Sequence, residues 1–208
     1  MDARQLPGFK EYLEWDEKDR RVSAHHEAGH IVASFMLKDT SKSRGVMLDG
    51  LDVQDGEEPF RMQCIPQARK RTFPFPYKSA DRNLLCAINC ATDSYAGPAA
   101  ESRFLGKKSI GRSGAFRGDF AWADKILEYA ADVQTFPAAR DGLYIPTLRR
   151  WIKARAWNLT GFYWNEIQAI AKAIFERSGG IEPFFPVEEI KAVFQGALQK
   201  RGEHHGND

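Results

Sequence analysis

Residues 24–30 read AHHEAGH, and the seven residues that follow, IVASFML, are almost wholly apolar. Polar groups at His26, Glu27 and His30 thus lead straight into a buried-type run. Residues four apart lie on one face of an α-helix, one turn above the other. If residues 17–37 form a helix, the imidazoles of His26 and His30 can reach a single metal ion. Zinc takes imidazole nitrogens at about 2.0–2.1 Å, and a catalytic site needs a third protein ligand and one open position. Glu27 stands next to the first ligand and suits a general base acting on water beside the metal. The register is unique, because the residue four after His25 is Gly29. The plainer alternative is a helix whose face happens to carry two histidines and a glutamate.

Composition narrows the setting. The chain has 208 residues, 43% of them apolar, which suits one domain with a real core. The formal net charge of +2 argues against a protein built on nucleic-acid charge. Cys64, Cys86 and Cys90 make an odd count without a CxxC pair, so a reducing compartment is expected. The first 21 residues lack the apolar core of a signal peptide, and no run approaches the ~18 apolar residues of a membrane span. The expectation is a cytoplasmic protein with no membrane span and no nucleic-acid partner.

Apolar periodicity predicts a mainly α domain with one small β-hairpin. Strands are expected at 45–54 and 60–66 around the turn Gly56–Pro59. Ser79 can cap a long helix reaching Leu105, with a stripe of Leu84, Leu85, Ile88, Ala91, Tyr95 and Ala99 and a kink or break at Gly97–Pro98. Cys86 and Cys90 fall in that stripe and read as core. Helices are further expected over 120–136, 147–159, 163–178 and 187–200. One domain of residues 1–208 results, with a core at 17–135, a helical part at 136–201 and a flexible tail at 202–208.

Three carboxylates compete for the third ligand position: Glu101 in GPAAESRF, Asp119 in SGAFRGDFAWA and Asp124 just beyond. Asp119 also reads as an ordinary N-cap, and Glu101 as a partner of Arg103 or Lys107. Spacing alone leaves the choice open.

Three blocks in order, HEAGH, AGPAAE followed by FLG, and the glycine-alanine loop running into GDFAWA, resemble the protease domain of the FtsH family of ATP-dependent zinc metalloproteases. The resemblance spans about residues 17–130, with a fainter helical echo to 200. It implies an FtsH-like metallopeptidase fold, a Zn²⁺ cofactor, and Asp119 as third ligand beside His26 and His30. Phe120 and Ala123 fall where the family has an apolar residue and an alanine. The chain departs in a loop before Asp119 one residue longer, in Pro98 at the arginine of the second block, and in a wider gap around 67–78. It contains no GxxxxGK[ST] phosphate loop.

The function expected is therefore a zinc-dependent endopeptidase with Glu27 as base. It would cut unfolded or flexible protein segments without ATP, or work beside a separate ATPase or adaptor. The alternative is a non-catalytic, zinc-containing binding module that keeps the peptidase fold. Extended substrate could add to an edge of the hairpin. The basic, aromatic stretch RKRTFPFPYK at 69–78 reads as a loop shaping the cleft, and Trp151 and Trp157 in LRRWIKARAW as core residues flanked by solvated arginines.

Overall fold

In the computed structural model, residues 17–38, 40, 43–50, 60–66, 80–110, 117–133, 144–178 and 184–205 are described. Helix α1 (Glu17–Met36) carries the HEAGH stretch, with Glu17 and Asp19 in its first turn, where negative charge suits the helix dipole. Strands β1 (Ser43–Gly50) and β2 (Phe60–Pro66) pair antiparallel, with Val46 opposite Cys64 and Gly50 opposite Phe60. Four helices follow: α2 (Ala80–Phe104), α3 (Arg117–Val133), α4 (Tyr144–Phe162) and α5 (Trp164–Arg177). A short strand β3 (Phe184–Pro186) and helix α6 (Val187–His205) complete the order.

The mainly helical architecture with a small antiparallel sheet agrees with the sequence. The sheet, however, has three strands in the order β2-β1-β3. Val46 of β1 sits opposite Phe185 of β3, and both are buried beneath α1. Three residues are too short a window for strand periodicity, and Pro186 reads equally well as a helix start.

Helices α1 and α2 form the central pair, and two cores flank them. On one side Ala24, Ala28, Ile31 and Val32 of α1 pack with Ile167, Ile170 and Ile174 of α5, with β3, and with α6. Each such fully buried branched side chain contributes roughly 1.5–3 kcal/mol. On the other side Cys86, Cys90 and Tyr95 of α2 meet Ile126 and Leu127 of α3 and Ile152 of α4. The two cysteines are buried core residues, as expected.

Several local expectations need correction. Of the kink or break expected at Gly97–Pro98, the break does not occur: helix α2 runs continuously through Pro98. An internal proline costs a helix about 3 kcal/mol, but Ala96, Ala99 and Ala100 on either side are completely buried, and this packing holds the turn together. Just past the helix end at Phe104, Gly106 has a φ of 71°, which lets its N–H reach the Arg103 carbonyl (2.9 Å) and the Lys107 N–H reach that of Ser102 (2.8 Å). Leu85 and Trp151 were placed in the core but are about half exposed, as is Met36 to a lesser degree. Ile152 and Ala156 are the buried positions of α4, and Trp157 instead lies under the Arg103 guanidinium at 4.0 Å. The tail taken as flexible from 202 continues α6 to His205. The Ser79 cap, the Gly56–Pro59 turn, the loop at 67–78 and the segment before Arg117 lie outside the described residues.

Candidate metal centre

The site lies where α1, α2 and α3 converge. Closeness of α1 and α2 comes from small residues. Gly29 of α1 has the Ala96 carbonyl and the Ala100 methyl where a Cβ would go, and Gly97 of α2 lies against the rings of His26 and His30 in the same way. Asp93, Gly97 and Glu101 form one row at four-residue spacing on α2. That row faces His26 and His30 on α1, and the gap that Gly97 leaves in it is what admits the two rings.

Each histidine is tied from behind. The His26 Nδ1 lies 3.2 Å from Glu101 Oε2 and donates to it, and the His30 Nδ1 donates to the Asp93 carbonyl oxygen at 2.9 Å. Both Nε2 atoms are thereby turned inward, 3.1 Å from one another. Asp119, in the first turn of α3, completes the group: Oδ2 is 3.2 Å from His26 Nε2 and Oδ1 is 3.6 Å from His30 Nε2. Phe120 packs against Tyr95 of α2 with ring centroids 5.4 Å apart and planes tilted by 45°, which anchors the start of α3 beside the histidines.

His26, His30 and Asp119 can hold a metal ion. The separations test that statement. Ligands at about 2.0–2.1 Å in tetrahedral array lie about 3.3 Å from one another; the two Nε2 atoms are 3.1 Å apart, close to that value, and Asp119 reaches them through different oxygens, so one oxygen would have to serve as the ligand. Imidazoles oriented through Nδ1 by a carboxylate and a backbone carbonyl are also the usual backing of metal-bound histidine. Glu27 is buried beside them, 8% exposed, and its charge acts on both rings.

Of the carboxylates that competed for the third position, the structure brings only Asp119 to the Nε2 side. Glu101 is on the far side of His26 and orients it. Asp124 accepts from Arg149 Nε at 2.6 Å and from the Tyr95 hydroxyl at 3.3 Å, away from the histidines. Asp93 and Gly97 were not recognised from the sequence as site residues. The four-residue spacing that runs back from Glu101 is the signal that points to both.

Without a metal, the site is held by protons. Burial opposes charging His26, but its bonds to Asp119 and Glu101 and the nearby Glu27 outweigh this and raise its pKa to about 10. His30 is raised as well, against its burial, chiefly by the charge and hydrogen bond of Asp119. Burial alone would raise Asp119, yet the two imidazoles hold its carboxyl well below the usual carboxylate range. The raised His26 stabilises the metal-free fold fully below pH 6.5, and that contribution is lost as pH rises toward 10. The depressed Asp119 contributes above its ordinary value of 3.8, and its contribution is lost as acid protonates it.

Metal must displace the His26 proton, so apparent metal affinity is expected to keep climbing, about tenfold per pH unit for each proton released, well past the ordinary imidazole range. Chelator competition at pH 6.5, 7.5 and 8.5 measures this. A plateau above about pH 7.5 would mean that His26 titrates as an ordinary histidine.

In comparisons with known proteins, the chain matches no family model and no curated protein. Among the described residues, no helix is long and apolar enough to cross a membrane.

Proposed function

We propose that the chain is a zinc-dependent endopeptidase of the FtsH-like type, acting on unfolded or flexible protein segments. The observation that carries this reading is the donor set itself: two helix-borne imidazoles and one carboxylate around one point, with a buried glutamate adjacent to the first ligand. Among the described residues the group offers three donors, and three protein ligands leave a position open where a closed structural site uses four. A zinc ion so held would supply Lewis acidity, activating water and polarising a carbonyl.

The chain's own groups would do the rest. Glu27 would take the proton from the attacking water and hand it to the leaving amine. Glu101 and the Asp93 carbonyl would keep both imidazoles in the tautomer that presents Nε2. Strand β2 lies at one edge of the sheet and could receive an extended segment by main-chain pairing, which tolerates many sequences. A separate ATPase or adaptor would be needed to present folded substrates. The buried thiols of Cys86 and Cys90 suit a reducing compartment such as the cytoplasm.

The test is cleavage of unfolded casein by the purified protein. Activity should vanish with a chelator and return on adding about one equivalent of zinc. Cleavage unaffected by chelation, or none at full zinc loading, contradicts the proposal.

A further inference from the structure

A cavity of about 310 Å³ opens between α1 and α5, and none of His26, His30 and Asp119 lines it. It sits at the bottom of the size range of small-molecule sites, enough for one ring or two fused rings. Its apolar walls are Phe104, Ala171 and Phe175.

The charges at its rim are already engaged. Arg21 is bound to Glu17 at 2.6 Å and lies over the Phe175 ring at 4.6 Å, and Lys172 is paired with Glu176 at 3.7 Å. Each cation at the rim already has a carboxylate partner, so the lining as a whole does not favour an anion.

Gln168 and Glu176 also line the cavity, and His25 supplies a directional group held beside its apolar wall. Its ring is stacked on Phe104 at 4.0 Å with 19° between planes. Its Nδ1 lies 2.7 Å from the Arg21 carbonyl oxygen. A carbonyl can only accept, so Nδ1 carries the hydrogen and Nε2 of the neutral ring is left as an acceptor. No hydrogen bond to Nε2 is present among the described residues.

We infer that this cavity binds a small, uncharged aromatic molecule carrying one N–H or O–H donor, of the indole or phenol class. The ring would lie against the phenylalanine walls and donate to His25 Nε2. Apolar area supplies most of the affinity, and the His25 acceptor discriminates between ligands of equal shape. The inference is independent of whether the metal centre is catalytic.

The probe is indole, with 1-methylindole as the same shape lacking the donor. The protein, with alanine methyls and histidine rings isotopically labelled, is titrated at about pH 8, where an ordinary imidazole is neutral. The Ala171 methyl and His25 ring signals should shift saturably with indole, at a Kd of about 1 mM or tighter. Binding of 1-methylindole should be about tenfold weaker. His25→Phe keeps an aromatic ring against Phe104 and should bring indole down to the level of 1-methylindole. N-acetyltryptophanamide separates the sources of such a ring: binding like that of indole assigns the cavity to a polypeptide's tryptophan as well, and exclusion assigns it to free small molecules. No saturable shift at Ala171, equal affinity for indole and 1-methylindole, or undiminished indole binding by His25→Phe would each overturn the assignment.

Discussion

Gly97→Ala is expected to cost the protein most of its metal affinity, although residue 97 has no side chain and is not a ligand. A Cβ there would overlap His30 Nε2 and the Nε2 of His26. Both rings are pinned from behind, by Glu101 and by the Asp93 carbonyl, so they cannot turn aside without breaking those bonds. Overpacking of this kind costs a fold about 1–3 kcal/mol. Displaced Nε2 atoms should weaken metal binding by about a hundredfold or more, at the upper end of what loss of orienting contacts does. Gly118→Ala is the control: it lies next to Asp119 on α3, yet nothing stands within 4 Å of its added Cβ. That variant should match the parent in metal affinity and lie within about 0.5 kcal/mol of it in stability. A Gly97→Ala protein that titrates with zinc as the parent does would mean that the helix pair is not packed as described.

Glu27→Gln separates catalysis from binding. The substitution is nearly isosteric and Glu27 is not among the three donors, so about one equivalent of zinc should remain bound. Cleavage of casein should fall by about 10²–10⁴, the share commonly carried by a positioned proton-transfer group. A non-catalytic zinc module would show no activity in either protein, and its three donors would then serve only to bind. If the glutamine variant cleaves as fast as the parent, Glu27 is not the base.

The legible parts of the site were those with a short-range period. His26 and His30 share a face because four residues nearly complete a helical turn, and Glu27 follows from adjacency. The third candidate ligand, Asp119, has no such relation. It lies 89 positions beyond His30, on a different helix, and only three-dimensional packing brings it to the same point. For that reason Asp119, Glu101 and Asp124 looked alike by spacing, and the resemblance to a family had to single one out. The same limit applies to the core. Helices α1, α4, α5 and α6 were foreseen because their apolar residues recur with helical period. Leu85 and Trp151 misled because apolarity does not reveal which side of a two-sided helix finds a neighbour. Strand β3 escaped because its pairing with β1 is a tertiary contact made by three residues. Gly97, read as a helix breaker beside Pro98, is instead a spacer that leaves room for two imidazoles.

The central claim is that one metal ion is held by His26, His30 and Asp119, with Glu101 behind His26. Zinc affinity measured side by side for the parent, Asp119→Ala and Glu101→Ala tests it most directly. Removing Glu101 should weaken binding by about 10–100-fold while a full equivalent still binds at saturation. Removing Asp119 should take away one of three ligands and leave less than about half an equivalent under the same conditions. Full zinc loading of Asp119→Ala, together with loss of zinc from Glu101→Ala, would contradict the account and transfer the third position to Glu101.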